Sequence, residues 1–288
     1  MDRRQPTRRD SLRSLTAGTI ATALPAVATS GPSPEVIDTN VSLFQWPFRR
    51  VPNDLPAALS FHLTRLGITE AWAGSFEAIL HRDISSVNKR LANACRRYPL
   101  FRPVAAINPV LPGWERDLRL CKEEHRMHAV RLVPGYHRYA LTEPFVERLL
   151  RQSAAKGMLV QIAVTLEDER TQHPSFRSIN VDLSPLADLV SRVPRSRIQI
   201  LNLRGRVPRE LQALNQIYFD TSRADSTDGV PKRISETGAN RVLLGTHAPL
   251  LIPAASLIRL HESGQLSGVQ LTAVTSANAR QLTDREAA

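Results

Sequence analysis

The stretches Ile198-Gln199-Ile200-Leu201 and Val242-Leu243-Leu244-Gly245 decide the fold of this chain. Each is a short, almost wholly apolar run that lacks the strict polar–apolar alternation of a half-exposed strand. Runs of this kind are typical of parallel strands that are buried on both faces. The two stretches therefore predict a parallel sheet that is covered by helices.

Working outward, runs of this type recur after Pro34, and each is followed by a segment with helical spacing. The predicted strands are 36–41, 68–73, 101–108, 129–133, 158–164, 198–203, 217–221 and 241–245. The predicted helices are 56–66, 86–97, 115–124, 143–156, 185–192, 208–214, 231–237 and 254–263. Eight alternating units favour an α/β fold, a single (β/α)8 TIM barrel. A doubly wound sheet is the alternative, but no Gly-x-Gly-x-x-Gly follows the first strand.

Composition excludes several classes of protein. The 288 residues are 42% hydrophobic and 23% charged, which suffices for a large core and excludes global disorder. Cys95 and Cys121 are too few for a disulfide scaffold or a four-thiolate zinc site, and we expect both to pack in the core. No stretch reaches the roughly 20 apolar residues of a membrane-spanning helix. We therefore expect no stable membrane anchor.

The net charge of +11 is spread along the chain. The arginines are scattered without a long run, and aromatic residues make up only 5%. Nucleic-acid-binding proteins concentrate their charge on one face or tail, often beside aromatic residues that stack on bases. We therefore expect no nucleic-acid partner, and a basic nucleic-acid-associated protein is kept only as a third hypothesis.

Residues 1–28 have the layout of a cleavable signal peptide. Arg8-Arg9 resembles a bacterial twin-arginine export signal, an uncharged segment follows, and Ala26-Val27-Ala28 fits a cleavage site. A mildly basic tail is the alternative. Cleavage after Ala28 would remove five arginines and two aspartates, lower the net charge to +8, and leave residues 29–288 as the barrel domain. This predicts a periplasmic or exported protein.

Polar residues gather where the predicted strands end, which is the catalytic face of a TIM barrel. The loop after the fifth strand is unusually long, and long loops in compact domains are often functional. The candidates at these ends are Asp38, Asn40, Asn108, Arg131, Tyr136, His137, Glu167, Asp168, Glu169, His173, Asn202, Arg204, Asp220 and His247.

Three segments carry a family resemblance. Residues 36–42, Val-Ile-Asp-Thr-Asn-Val-Ser, stand where the amidohydrolase-related family opens with Ile-Asp-x-His-x-His. Residues 244–249, Leu-Gly-Thr-His-Ala-Pro, stand where it has Gly-Ser/Thr-Asp-x-Pro, and residues 276–282 match its closing helix. The chain thus resembles these metal-dependent barrel hydrolases, which include decarboxylases of aromatic acids. The resemblance implies a hydrolase that acts on a small-molecule substrate.

The chain departs from that family at its metal ligands. Asn40 and Ser42 replace the two histidines of the first strand, Ala163 and Asn202 stand near two further histidine positions, and His247 stands where an aspartate is expected. A catalytic divalent metal needs converging imidazole and carboxylate ligands. A metal cofactor therefore stays open, but the usual ligands are absent and none is carried over.

Two catalytic arrangements remain. The first is a relocated metal site that uses His137, His173 and His247 with one carboxylate. The second is metal-free chemistry in which His247 is the general acid or base, Asp38 orients it, and arginines bind an anionic substrate. The residues expected to be catalytic are His247, Asp38 and His137. Those expected to bind substrate are Asn40, Arg131, Tyr136, Asn202, Arg204, Asp168 and His173.

Each of these residues also has a structural alternative. Asp38 could cap a turn, the asparagines could satisfy buried backbone groups, and the acidic run 167–169 could be a solvated loop. The leading function is an exported amidohydrolase-related hydrolase. Its rival, favoured by the missing His-x-His, is a non-catalytic barrel that binds an anionic small ligand. The oligomeric state stays open, with a homo-oligomer as one outcome.

Overall fold

The computed structural model describes residues 34–262 and 264–284. The predicted signal peptide, residues 1–28, lies outside this range. The described region forms one compact unit that begins at Glu35. None of the helices in the described ranges is both long enough and apolar enough to cross a membrane.

Parallel strands make up the centre of this unit, and every paired strand in the described region runs parallel to its neighbour. The strands are β1 (Ile37–Leu43), β2 (Glu70–Ser75), β3 (Phe101–Pro103), β4 (Ala105–Ala106), β5 (Ala129–Leu132), β6 (Leu159–Ala163), β7 (Ile198–Leu201), β8 (Ile217–Asp220) and β9 (Val242–Leu243). They are ordered β1-β2-β3 and β4 through β9. Strands β3 and β4 together fill the third of eight positions.

Backbone hydrogen bonds close the strands into a ring. On one side, the Val104 N–H donates to the Ala73 carbonyl at 2.8 Å and joins the two strand groups. On the other, β1 pairs with the segment after β9, since Thr39 N–H donates to Leu244 O at 2.8 Å and Val41 forms a parallel bridge with Ala248. The protein is therefore the (β/α)8 TIM barrel that the sequence predicts.

Helices surround the strands in the expected order. They are α1 (Pro56–Arg65), α2 (Ile84–Arg97), α3 (Trp114–Glu123), α4 (Pro134–His137), α5 (Pro144–Ala155), α6 (Leu186–Arg192), α7 (Arg209–Gln212), α8 (Gly229–Thr237), α9 (Pro253–Glu262), α10 (Gly268–Thr272) and α11 (Asn278–Asp284). A π-helical turn, Ala273–Ala277, joins the last two.

Three predicted elements differ from the structure. The third strand is interrupted after Pro103, because proline has no N–H to donate to the strand ladder. The eighth is only Val242–Leu243, because Arg241 belongs to a 3-10 turn. The segment after β5, for which the sequence predicts no helix, contains α4, which Pro134 opens with a backbone angle already suited to a helix.

Side chains alternate along the central strands between two environments. Val160 and Ile162 of β6, like their neighbours in β7, belong to the apolar layer under the helices, where Cys95 and Cys121 are also buried. In contrast, Gln161 bonds across the barrel to the Thr39 carbonyl at 2.9 Å. The apolar core thus lies between strands and helices, whereas the barrel interior is polar.

A testable consequence concerns the interrupted third strand. The buried Asn88 side chain on α2 donates to the Ala106 carbonyl and accepts from the Ala106 N–H, both at 2.8 Å. Asn88→Ala should lower the free energy of unfolding by about 2–4 kcal/mol, because two buried backbone groups lose their partner. Urea unfolding measures this. Asn93→Ala, at an exposed position of the same helix, is the control, and equal losses in both variants would contradict the assignment.

Candidate functional site

Asp38, the second residue of β1, is completely buried and accepts hydrogen bonds at both carboxylate oxygens. Its Oδ1 accepts from the backbone N–H groups of Asn40 and Thr246, both at 3.0 Å, and its Oδ2 accepts from the Thr246 hydroxyl at 2.5 Å. Burial raises the pKa of this carboxyl to about 6, although these hydrogen bonds favour the charged form. Asp38 therefore ties the first strand position to the eighth.

Asn40 forms a second link across the interior. Its Nδ2 donates to Asn202 Oδ1 at 2.8 Å and to Asp220 Oδ2 at 2.7 Å. Asn202 stands in the left-handed region at φ 61°, and its backbone N–H donates to Asp220 at 3.0 Å. Burial raises the pKa of Asp220 as well. Asn40 and Asn202, which are expected to bind substrate, lie together and hydrogen-bond to each other.

Arg131 lies inside the barrel with its guanidinium held by three different groups. Nη1 donates to the Val41 carbonyl at 2.8 Å and to the Ser42 hydroxyl at 3.1 Å, while Nε donates to Gln161 at 2.9 Å. Gln161 in turn donates to Gln199 at 2.8 Å. A Cβ on Gly74 would lie 2.7 Å from Nη1, so the neighbouring strand leaves room for this group by lacking a side chain.

The charge of Arg131 is balanced within the barrel. Burial lowers the pKa of the guanidinium to about 10, and the carboxyl groups of Asp220 and Asp38 act in the opposite direction. At neutral pH the group is therefore a cation. Among the described residues, the buried guanidinium of Arg131 and the buried carboxyl groups of Asp38 and Asp220 each bond to amide, hydroxyl or backbone groups of the interior.

His247 is buried with one ring nitrogen engaged. Its Nε2 lies 2.6 Å from the carbonyl oxygen of Leu166, which can only accept, so Nε2 carries the proton and Nδ1 is a bare acceptor. No partner reaches Nδ1 in the described region. Burial lowers the pKa of the ring to about 3, so it is neutral at physiological pH.

The other two histidines stand at separate loops. His137 donates from Nε2 to the Ala78 carbonyl at 3.0 Å, and burial lowers its pKa. The exposed His173 stacks on Phe48 at a ring distance of 6.0 Å. Each imidazole thus has its own neighbour, and the expected joint metal site of His137, His173 and His247 is not assembled.

The residues present do not fit a divalent metal. Within residues 34–262 and 264–284, no group of three or more histidine, cysteine, aspartate or glutamate side chains could hold such an ion. At the two histidine positions of the first strand, Asn40 is bonded to its amide and carboxyl partners and Ser42 faces the Arg131 cation. A second cation there would meet the repulsion of the guanidinium.

An aromatic cap closes the mouth of the barrel above Arg131. We use this name for Trp46, Phe48, Phe76, Tyr136 and Phe176, whose rings pack in edge-on and stacked pairs at 5.0–5.9 Å. The space below is a cavity of about 20 Å³ lined by residues that include Ser42, Arg131 and His137. That volume holds about one water molecule.

The cap is fastened at its edge by an ion pair. Arg49, which follows β1, pairs with Glu167 in the long loop after β6. The Tyr136 hydroxyl lies 3.5 Å from the same carboxylate. The Glu167 side chain is 3% exposed, whereas that of Arg49 is 41% exposed, so the pair lies at the boundary between the cap and solvent. Tyr136, expected to contact substrate, is instead a buried member of the cap whose pKa is raised by burial and Glu167.

A large open cavity lies beside the mouth, at the carboxyl ends of β7 and β8. Its volume is about 880 Å³, and we call it the arginine cleft. Five basic and three acidic side chains line it: Arg204, Arg206, Arg223, Lys232, Arg233, Asp168, Asp225 and Glu236. Arg204 also lines a second cavity of about 280 Å³, which includes Asn202. Of the predicted site residues, only Arg204 and Asp168 face the cleft.

Several residues of the site are not among those predicted from the sequence. Gln161 and Gln199 interrupt apolar strands, and a polar residue inside such a run is a signal for an interior network. Arg223 and Arg233 are two of many scattered arginines, so no local pattern distinguishes them. Thr246 precedes a predicted residue, but only the fold reveals its bond to Asp38.

Comparisons with known proteins identify similar folds. No protein-family model matches the chain, and no curated protein matches it in sequence. Among solved structures, the dihydroxybenzoic acid decarboxylase from Polaromonas, with bound manganese and an inhibitor, is 14% identical with a TM-score of 0.67, covering 87% of this chain and 97% of that one.

Two further structures cover 87% of this chain and 99% of their own. A putative amidohydrolase from Staphylococcus aureus is 13% identical with a TM-score of 0.65. A probable 2-pyrone-4,6-dicarboxylic acid hydrolase from Acinetobacter baumannii, with citric acid bound, is 15% identical with a TM-score of 0.60. At these identities the similarity establishes a shared TIM-barrel fold.

The buried His247 predicts a pH dependence of stability. Its pKa is about 6.5 when unfolded and about 3 when folded, so the unfolded chain binds the extra proton first as the pH falls. The contribution to stability is complete above pH 7 and shrinks below the unfolded pKa, by about 2 kcal/mol at pH 5.

His247→Asn tests this, because asparagine tolerates the left-handed backbone at φ 57°. In urea titrations, the difference in free energy of unfolding between wild type and variant should narrow by about 2 kcal/mol between pH 7.5 and pH 5. The exposed His81→Gln controls for the removal of an imidazole. A constant difference across this range would show that His247 is not held neutral.

Proposed function

We propose that this protein is a small-molecule-binding barrel that takes an anionic ligand and works without a catalytic metal. The observation that carries the proposal is the guanidinium of Arg131, which lies within hydrogen-bond distance of Ser42, Gln161 and the Val41 carbonyl. Arg131 lies on β5, and its guanidinium donates to Ser42, the residue at the second of the two first-strand positions that would bear metal-binding histidines. The barrel interior therefore already contains its cation.

The groups expected to catalyse a reaction lack space for a substrate. Asp38 and His247 are 0% and 1% exposed, and the cavity beside His137 has a volume of about 20 Å³. A general base must reach its substrate directly or through one water. Both oxygens of Asp38 are engaged with neighbours in the barrel, and His247 Nδ1 faces the interior without a partner. These contacts favour a binding role over the hydrolase role.

An anionic ligand is supported by charge and by the neighbours in fold. Basic side chains exceed acidic ones in the arginine cleft, which is large enough for a small organic molecule. The Polaromonas and Acinetobacter proteins are named for a benzoic acid and a dicarboxylic acid, and the latter holds citric acid. We transfer from them only the general class, a small carboxylate-bearing or otherwise anionic molecule.

Export is a second part of the proposal. The twin-arginine-like segment supports export of a mature chain that begins at Thr29. The exported protein would then bind its ligand outside the cytoplasm. Expression in a bacterial host followed by N-terminal sequencing of the periplasmic fraction tests it. A protein found only in the cytoplasm with an intact N-terminus would contradict export.

Metal analysis tests the central part of the proposal. The purified protein, expressed in medium that contains zinc, manganese and iron, should hold no stoichiometric amount of any of these metals. Adding each metal to chelator-treated protein should leave the melting temperature unchanged, because no described set of ligands converges. One equivalent of metal that is lost in His247→Ala or His137→Ala would overturn the proposal in favour of a rebuilt metal site.

Arg131→Met tests the role of the buried cation. The variant should lose about 3–5 kcal/mol in free energy of unfolding, because Ser42, Gln161 and the Val41 carbonyl lose a buried charged donor and the interior carboxyl groups lose a nearby cation. Arg170→Met, at a surface arginine that is 88% exposed and paired with Asp168, is the control and should lose less than about 1 kcal/mol. Equal losses would indicate that Arg131 contributes no more than a surface charge.

A further inference from the structure

We propose that the arginine cleft is the ligand site, and that it binds a small dianion whose oxygens accept hydrogen bonds from Arg223 and Arg233. This inference rests on the proposed function and specifies where the ligand binds and which charge it carries. A phosphate group and a compact dicarboxylate share this chemistry, since a guanidinium donates to either in a planar, two-pronged geometry.

Arg233 supplies the first observation. It lies on α8, is 3% exposed, and lines the cleft. Nη2 donates to the carbonyls of Leu203 and Gly205 at 3.1 and 3.2 Å, and the guanidinium lies 6.0 Å from the Phe219 ring centre. These contacts fix the group, while Nη1 is buried without a hydrogen-bond partner in the described region. A fixed, buried donor without an acceptor is costly unless a ligand supplies one.

Arg223 supplies the second. It follows β8, lines the same cleft, and has a buried Nε without a hydrogen-bond partner among the residues that the structure describes. Burial and the nearby Arg204 lower its pKa, while the carboxylates of Asp225 and Asp168 act in the opposite direction. An anion bound in the cleft would offset the energetic cost of burying the Arg223 charge and the repulsion between Arg223 and Arg204.

The remaining walls of the cleft are already internally paired. Arg204 bonds to Asp168 at 3.3 Å, and Arg206 bonds to Glu236 at 2.9 Å. These pairs hold the loop after β7 in place, and Lys232 pairs with Asp228 at 2.8 Å. Arg223 and Arg233 are the lining arginines that keep a buried nitrogen without a hydrogen-bond partner among the described residues. Helix α8 starts in the same wall at Gly229, so its positive end adds to the potential.

The charge count indicates a dianion. The five basic and three acidic side chains of the cleft leave a net charge of +2, which one doubly charged ligand neutralises. The cleft has a volume of about 880 Å³, so the ligand can carry an organic body beside its charged group. The hydroxyl groups of Ser226 and Ser235 also line the cleft and can bond to that body.

Isothermal titration calorimetry with the full chain tests the inference, using inorganic phosphate and succinate as probes at an ionic strength matched with sodium chloride. Saturable 1:1 binding with a Kd of about 1 mM or tighter is expected for one of the two dianions. Phosphate binding alone assigns a phosphorylated ligand, and succinate binding alone assigns a dicarboxylate.

Arg223→Met is the deciding variant. It should weaken binding at least about ten-fold, because charged hydrogen bonds are lost, yet leave the melting temperature unchanged or slightly raised, because an unpartnered buried donor is removed. Arg233→Met should weaken binding similarly but also lower stability, since that side chain holds two backbone carbonyls. Arg209→Met, an exposed arginine of α7, is the control for net charge.

Three outcomes would overturn the inference: no saturable binding of either probe above the chloride control, binding that Arg223→Met leaves unchanged, or an equal loss in Arg209→Met. All three are independent of the metal analysis. A metal-free protein that binds neither dianion would contradict only the assignment of the ligand to the arginine cleft. A metal-containing protein that binds phosphate would contradict only the metal-free part of the proposed function.

Discussion

The guanidinium of Arg131, inside the barrel, is the interaction on which the rest of the site depends. It donates to a β1 carbonyl, to Ser42 and to Gln161, and so connects the first strand with β5 and β6. A buried charge is tolerated only when it is paired and hydrogen-bonded. Its hydrogen bonds to the Val41 carbonyl, Ser42 and Gln161 satisfy the guanidinium, and the buried carboxyl groups of Asp220 and Asp38 favour its charged form.

This arrangement explains why the mouth of the barrel and the open cleft have different characters. Once the interior is filled by a hydrogen-bonded network, the aromatic cap can pack directly over it and leave room for about one water molecule. The space for a ligand then lies at the side, at the ends of β7 and β8, where arginines retain free donors. The proposed ligand site and the interior network thus lie on the same face of the barrel. The centre of this face is filled by packed side chains, and the cleft at its rim is open to solvent.

Much of the fold could be predicted from the sequence, because apolar strands and helices alternate with little ambiguity. The barrel, the buried cysteines, the place of Asp38 and Asn40 on the first strand and the place of His247 after the last one follow from that pattern. What the pattern could not provide is which polar groups meet across the barrel: Asn40 and Asp220 are 180 positions apart and bond at 2.7 Å. Contacts between residues distant in sequence also determine the hydrogen bonds of Asn88 to the strand segment after Pro103. The same kind of contact distinguishes Arg223 and Arg233 from the many other arginines.

Chemical rescue of Arg131→Ala tests the central claim most directly, because it asks which cation the interior is shaped to hold. Guanidinium chloride at about 50 mM, compared with sodium chloride at the same ionic strength, should raise the melting temperature of the variant and leave the wild type unchanged, since the free ion binds only where the side chain is missing. Zinc chloride should give no such recovery. A variant that guanidinium does not stabilise, or that zinc stabilises more, would contradict an interior built around an arginine.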